Sequence, residues 1–144
     1  MGQTVLTVMT GVYLSGAACR DLLNRTVSKA WAFVFMTAAI LYHILQRDMT
    51  IAAWGAGMIP ALVMLAAALL TKQAFGCGDC LVLAVLGGMR GAGYAVLLLL
   101  AGLCLAAVFS CVGVVMGKLT REGELPFVPF LLTAFLLQTL TEWL

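Results

Sequence analysis

Apolar residues run along this chain in six stretches, and most charged residues lie in the short connections between them. We predict six membrane segments, at residues 4–19, 30–45, 51–70, 75–88, 92–116 and 126–140. Some are shorter than the roughly 20 residues of an ideal helical span, which thinning of the bilayer and packing in a bundle tolerate. The pattern therefore predicts an all-α fold, a polytopic bundle of about six transmembrane helices in a single domain over residues 1–144.

The fourth and fifth segments can be divided in two ways. A single span over residues 80–100 would bury Arg90, together with Gly87 and Gly88, in the middle of the membrane. Because a charged group is costly at that depth, we predict a break at residues 87–93 and two separate helices.

The composition supports a membrane protein. Hydrophobic residues make up 64% of the chain and charged residues 10%, against about 45–50% and about 25% in soluble domains. The net charge of +2 is too small to indicate a nucleic-acid partner. We therefore expect the chain to lie in a lipid bilayer.

The basic residues predict the orientation. Arg47 and Arg90 fall in the even-numbered connections, whereas six basic residues fall in the odd-numbered ones. Positive charge accumulates on the cytoplasmic side, so the odd-numbered connections are expected there and both termini outside. The six residues are Arg20, Arg25, Lys29, Lys72, Lys118 and Arg121.

Two aspartates are the main candidates for chemistry. Asp21 ends the first apolar stretch, and Asp79 ends the sequence Gly-Cys-Gly-Asp at residues 76–79. Both are predicted at the cytoplasmic boundary, and an acidic residue kept in or near a bilayer is a functional candidate. Asp79 is expected in the first turn of the fourth helix, where the helix dipole favours the carboxylate. The glycines Gly76 and Gly78 would leave room beside it for the backbone of an extended peptide substrate.

Two neighbouring carboxyl groups can perform acid–base catalysis. Both cannot ionise easily, so one stays charged as the general base while the other keeps a proton as the general acid. The base activates a water molecule, and the acid protonates the scissile carbonyl or the leaving amine. Asp21 and Asp79 are therefore predicted to form one catalytic pair.

Structural roles for the same residues remain open. An aspartate at a helix N-terminus is often a cap, and Asp21 between Arg20 and Arg25 could form an ion pair at the interface. Cys77 and Cys80 enclose Asp79 in a Cys-x-x-Cys pattern, which is typical of metal sites and thiol exchange. A structural zinc site needs four ligands, and the other cysteines lie on other predicted helices, so no metal and no cofactor is expected.

Three stretches of the chain resemble, in order and spacing, the type IV prepilin peptidase family of GxGD membrane aspartic proteases. The first contains Asp21 and, four residues later, Arg25; the second contains the glycine motif and Asp79. The third is similar to the proline–phenylalanine start of the family's last helix. The chain is most similar to the short form found with tight-adherence (Flp-type) pilus systems. The stretches are residues 21–28, 76–84 and 125–131.

This resemblance implies an aspartic endopeptidase, a hydrolase with Asp21 and Asp79 as its catalytic pair. Its partner would be a prepilin-like membrane protein, cut after a glycine and before the hydrophobic helix. The site would face the cytoplasm, at the inner membrane of a bacterial cell. Longer members of the family carry a cysteine-rich zinc element and methylate the new N-terminus; the chain lacks room for that element, so this second activity is not expected.

The chain departs from the family pattern at three positions. Leu81 stands two residues after the second aspartate, where the family usually has lysine. In the first motif, Leu23 and Lys29 replace a basic residue and an asparagine. These differences bear on how the pair is tuned and how the substrate is held.

Two other functions fit parts of the pattern. A non-catalytic membrane scaffold or a small transporter subunit could use acidic residues to handle cations or protons. Such a path usually needs polar groups through the membrane, whereas the deep positions here are mostly Leu, Val, Ala and Met. A presenilin-like protease would need an aspartate deep in a span, and Asp21 is not predicted there.

Overall fold

The fold is a bundle of α-helices. The structure, a computed structural model, describes residues 2–24, 26–47, 49–71, 76–118 and 126–144. These residues contain no strand, and the predicted all-α class and number of helices are confirmed. The helices are α1 (Gly2–Asn24), α2 (Lys29–Gln46), α3 (Ile51–Leu70), α4 (Cys77–Arg90), α5 (Ala92–Val115) and α6 (Val128–Trp143).

Two helix boundaries bear on the candidate site. α4 and α5 are separate helices joined by Gly91, whose positive φ of 88° suits a residue without a side chain. The predicted break between them is thus confirmed, although α4 extends to Arg90. α1 extends beyond the predicted segment to Asn24, so Asp21 lies within the helix and not after it.

Three helices are suited to cross a membrane. α2, α3 and α5 are long and apolar enough to span one, and only 17–22% of their residues are buried inside the bundle. They therefore present broad apolar surface of the kind that lipid covers. α4 and α6 have only 14 and 16 residues, and membrane crossing by α1, α4 and α6 stays a prediction.

The short helix α4 is the centre of the bundle. It contacts α1, α2, α3 and α5, and eight of its residues are buried. Gly57 of α3 and Gly87 of α4 are in backbone-to-backbone contact. A Cβ atom on either residue would overlap the carbonyl group of the other. Small residues commonly allow such close approach of membrane helices. This packing fixes α4, and with it Asp79, within the bundle.

Side-chain contacts define two opposite ends of the bundle. One end is called the dyad end, after the two candidate aspartates. There Asp21, near the end of α1, meets the start of α6, and Val27 packs on the first turn of α4. At the Arg90 end, Arg90 of α4 contacts Thr7 near the start of α1. The two catalytic candidates therefore belong to the same end.

Candidate active site

Asp79 lies in the first turn of α4, as predicted. Gly76 is the N-cap residue of this helix, and its carbonyl oxygen accepts a hydrogen bond of 3.0 Å from the Asp79 N–H. Asp79 itself does not occupy the capping position. Asp79 is therefore part of the helix, and its carboxyl group does not cap the helix N-terminus.

Asp21 is nearly buried, with 9% of its surface exposed. Its Oδ2 atom accepts a hydrogen bond of 3.2 Å from the N–H of Val128, the first residue of α6. The first N–H groups of a helix lack partners within the helix, and a carboxylate there also interacts well with the helix dipole. Asp21 therefore links α1 to α6. Arg20 beside it is exposed, and Arg25 lies outside the described residues.

The carboxyl groups of Asp21 and Asp79 lie close enough to interact electrostatically. Asp79 is outside the three candidate spans, at the N-terminal end of α4. Burial, and then the charge of Asp21, raise the pKa of Asp79 from 3.8 to about 6. The expected effect of the helix dipole, which favours the carboxylate, is outweighed by these two. The arrangement is suited to a pair in which one carboxyl keeps a proton.

The glycine motif has a packing role. A Cβ atom on Gly78 would lie 2.8 Å from Cγ2 of Val27, so Val27 occupies the space beside this glycine. The connection between α1 and α2 is thereby held against the first turn of α4. Gly76 is exposed, and a Cβ atom there would lie at an ordinary 3.5 Å from Oδ2 of Asp79. Substrate contacts at Gly76 and Gly78 stay predictions.

All three motif stretches meet at the dyad end. Asp21 and Val27 come from the first, Gly78 and Asp79 from the second, and Val128 from the third. Leu125, at the start of the third stretch, lies outside the described residues. The sequence predicted that the last helix begins near residue 126, but nothing in it indicated that the N–H of Val128 binds Asp21.

Known proteins give no further information about this site. Comparisons with models of protein families, with curated proteins and with solved structures found no match to this chain. The family resemblance therefore stays a prediction, supported by the residues named above.

The cysteines near Asp79, Leu81 and His43 have the following surroundings. Cys77 is exposed and Cys80 buried, both as free thiols, and the described residues contain no group of three or more His, Cys, Asp or Glu suited to a metal. Leu81 packs against the hydrophobic core. His43 is buried, and its Nε2 atom lies 3.1 Å from the carbonyl oxygen of Met89.

Proposed function

We propose that this protein is a membrane aspartic endopeptidase that removes the leader from prepilin-like precursors. The cut would follow a glycine, at the cytoplasmic face of the inner membrane of a bacterial cell. The observation that carries the proposal is the electrostatic pairing of Asp21 and Asp79, two carboxyl groups held on different helices at one end of the bundle.

The two carboxyl groups have distinct surroundings, and these suggest distinct roles. Asp79 keeps its proton to a higher pH than a free aspartate, so it acts as the general acid. Asp21 accepts a hydrogen bond from the N–H of Val128. Since this hydrogen bond is strongest when the carboxyl group is ionised, Asp21 acts as the general base.

Peptide hydrolysis by this pair needs only water as the second reactant. Asp21 takes a proton from a water molecule while the water oxygen bonds to the scissile carbonyl carbon. Asp79 gives its proton to the departing amine nitrogen as the C–N bond breaks. The products are the leader with a new carboxyl group and the mature protein with a new amine. The proton held by Asp21 then passes to Asp79, which leaves Asp21 ionised and Asp79 protonated as at the start.

The position of the pair favours a cut near the membrane surface. Asp21 lies in the last turn of α1, and Asp79 lies in the first turn of α4. A substrate whose apolar helix lies along the bundle would present the junction at that level. Arg20 and Lys29, at the same end, are exposed and support a cytoplasmic location by the distribution of positive charge.

Co-expression with a pilin precursor from the same organism tests this function. Asp21→Asn and Asp79→Asn each keep the side-chain size and remove the acid. The expected result is a shortened precursor with wild type and an intact precursor with either variant, although both variants accumulate in the membrane. The matched control is Arg20→Gln, which changes one charge at an exposed neighbour of Asp21 and is expected to cleave normally.

Two results would contradict the proposal. Cleavage by either aspartate variant to the same extent as by wild type would exclude a two-carboxyl mechanism. Failure of wild type to cleave any candidate precursor, with the protein present in the membrane, would favour the scaffold or transporter alternative.

A further inference from the structure

A second candidate site lies at the Arg90 end, away from Asp21 and Asp79. A cavity of about 360 Å³ opens there among α1, α2, α4, α5 and α6. Its volume falls within the range of about 300–1,000 Å³ that is usual for small-ligand sites. The polar residues in its wall are Gln3, His43, Arg90, Tyr94 and Glu142.

Charges of both signs face this cavity. The guanidinium group of Arg90 donates a hydrogen bond to the hydroxyl of Thr7 and lies 4.5 Å from the centre of the Tyr94 ring. These contacts hold the group in the cavity wall and use only part of its five N–H donors. Glu142, near the end of α6, supplies a carboxyl group to the same cavity. A ligand with an anionic and a cationic group would match this pair.

The cavity lies at the level where the candidate spans end. α2 ends at Gln46, α3 begins at Ile51 and α5 begins at Ala92. The lining residues His43, Met49 and Tyr94 are each within three positions of one of these limits. The hydrocarbon core gives way to polar headgroups at the ends of membrane spans. The cavity is therefore at the depth of lipid phosphates and headgroup amines.

We propose that this cavity binds a phosphoethanolamine group, with the phosphate on Arg90 and the ammonium on Glu142. A guanidinium group matches the geometry of phosphate oxygens, and a carboxylate pairs with a primary ammonium. The group can come from the headgroup of phosphatidylethanolamine or from a free phosphoethanolamine ester. This site is independent of the proposed peptidase activity.

Lipid retention by purified protein tests the assignment. Wild type is reconstituted with equal amounts of phosphatidylethanolamine and phosphatidylglycerol, extracted into detergent, and analysed for retained lipid by native mass spectrometry. Arg90→Gln is expected to lower retention of both lipids at least fivefold. Glu142→Gln is expected to lower only phosphatidylethanolamine, because phosphatidylglycerol has no ammonium group. The control Arg47→Gln removes a charge at the same end but outside the cavity wall, and is expected to retain lipid as wild type does.

A thermal-stability measurement in lipid-free detergent distinguishes the two sources. If O-phosphoethanolamine stabilises the protein and the effect depends on Arg90 and Glu142, the cavity binds the free ester. Selective retention of phosphatidylethanolamine shows that it binds the lipid headgroup. Glu142 is exposed at the end of α6, so its substitution is not expected to unfold the protein. The proposal is overturned if Glu142→Gln leaves both the preference for phosphatidylethanolamine and the response to O-phosphoethanolamine unchanged.

Discussion

The Oδ2 atom of Asp21 and the backbone N–H of Val128 form a hydrogen bond of 3.2 Å between the last turn of α1 and the first residue of α6. This contact connects a proposed catalytic carboxyl group to the start of a helix 107 positions further along the chain. Asp21 consequently has a structural role as well as its proposed chemical one. The two roles can be separated by substitutions that differ in hydrogen bonding.

Asp21→Ala is expected to destabilise the protein more than Asp21→Asn. Alanine leaves the N–H of Val128 without its partner, and a buried donor left unsatisfied costs about 1–3 kcal/mol. The amide oxygen of asparagine can still accept this hydrogen bond, so most of that stability is retained. Thermal unfolding in detergent measures the difference, and equal stability of the alanine variant and wild type would show that the contact does not support α6.

Asp79→Asn is expected to change how stability depends on pH. The pKa of Asp79 is raised in the folded protein from 3.8 to about 6, so folding favours its protonated form. This contribution to stability is fully present below about pH 4 and is lost as the pH rises through 6. Asparagine mimics the protonated carboxyl at every pH, so the variant should be more stable above pH 6, by on the order of 1–3 kcal/mol.

Unfolding curves from pH 4 to pH 8 test this prediction. Wild type should lose stability across the interval relative to Asp79→Asn, and the difference should shrink in an Asp21→Asn background because the charge of Asp21 contributes to the shift. A constant difference between the two proteins at all pH values would contradict the assigned coupling.

Gly78→Ala is expected to disturb the dyad end, whereas Gly76→Ala is its matched control for folding. The new methyl group at Gly78 would lie 2.8 Å from Cγ2 of Val27 and force the connection between α1 and α2 to move. Overpacking of this kind costs about 1–3 kcal/mol. At Gly76 the nearest contact would be an ordinary 3.5 Å, so this substitution should avoid the cost of overpacking.

Combining Gly78→Ala with Val27→Ala should restore part of the lost stability, because the smaller residue frees the space. Absence of any rescue would mean that Val27 is not the contact that requires glycine. If Gly76→Ala folds normally but cleaves precursor slowly, the predicted role of Gly76 beside the substrate backbone gains support.

Gly87→Ala is expected to weaken the packing of α3 on α4. Its Cβ atom would overlap the carbonyl group of Gly57, and backbone cannot move aside as a flexible side chain can. A loss of about 1–3 kcal/mol follows from overpacking. Gly55→Ala on α3 is the control, since open space surrounds that position and alanine should stabilise the helix by roughly 0.5–1 kcal/mol. Equal unfolding temperatures for the two variants would contradict the described helix contact.

The sequence predicted the helices well because each is encoded by a local apolar stretch. The cost of burying the charge of Arg90 correctly indicated a break between two helices. The break lies at Gly91, which has a positive φ. The first turn of α4 was also predictable, because Gly76 and Asp79 are only three positions apart. Local patterns of this kind are visible in a single sequence.

The partners of the polar groups could not be predicted in the same way. Asp21 binds Val128, and Arg90 binds Thr7 at a separation of 83 positions. Such contacts depend on how whole helices pack, and neither partner carries a polar pattern that identifies it. For the same reason the packing role of Gly78 against Val27 was missed, although the need for a small residue was recognised.

The most direct test of the proposed chemistry is cleavage by purified, reconstituted protein. Initial rates on a pilin precursor would be measured for wild type, Asp21→Asn and Asp79→Asn, with the cut site identified by mass spectrometry. Wild type is expected to make a single cut after a glycine, and either variant is expected to lose about 10²–10⁴-fold in rate because a general acid or base has been removed. Cleavage at the wild-type rate by either folded variant would show that Asp21 and Asp79 do not act as one catalytic pair.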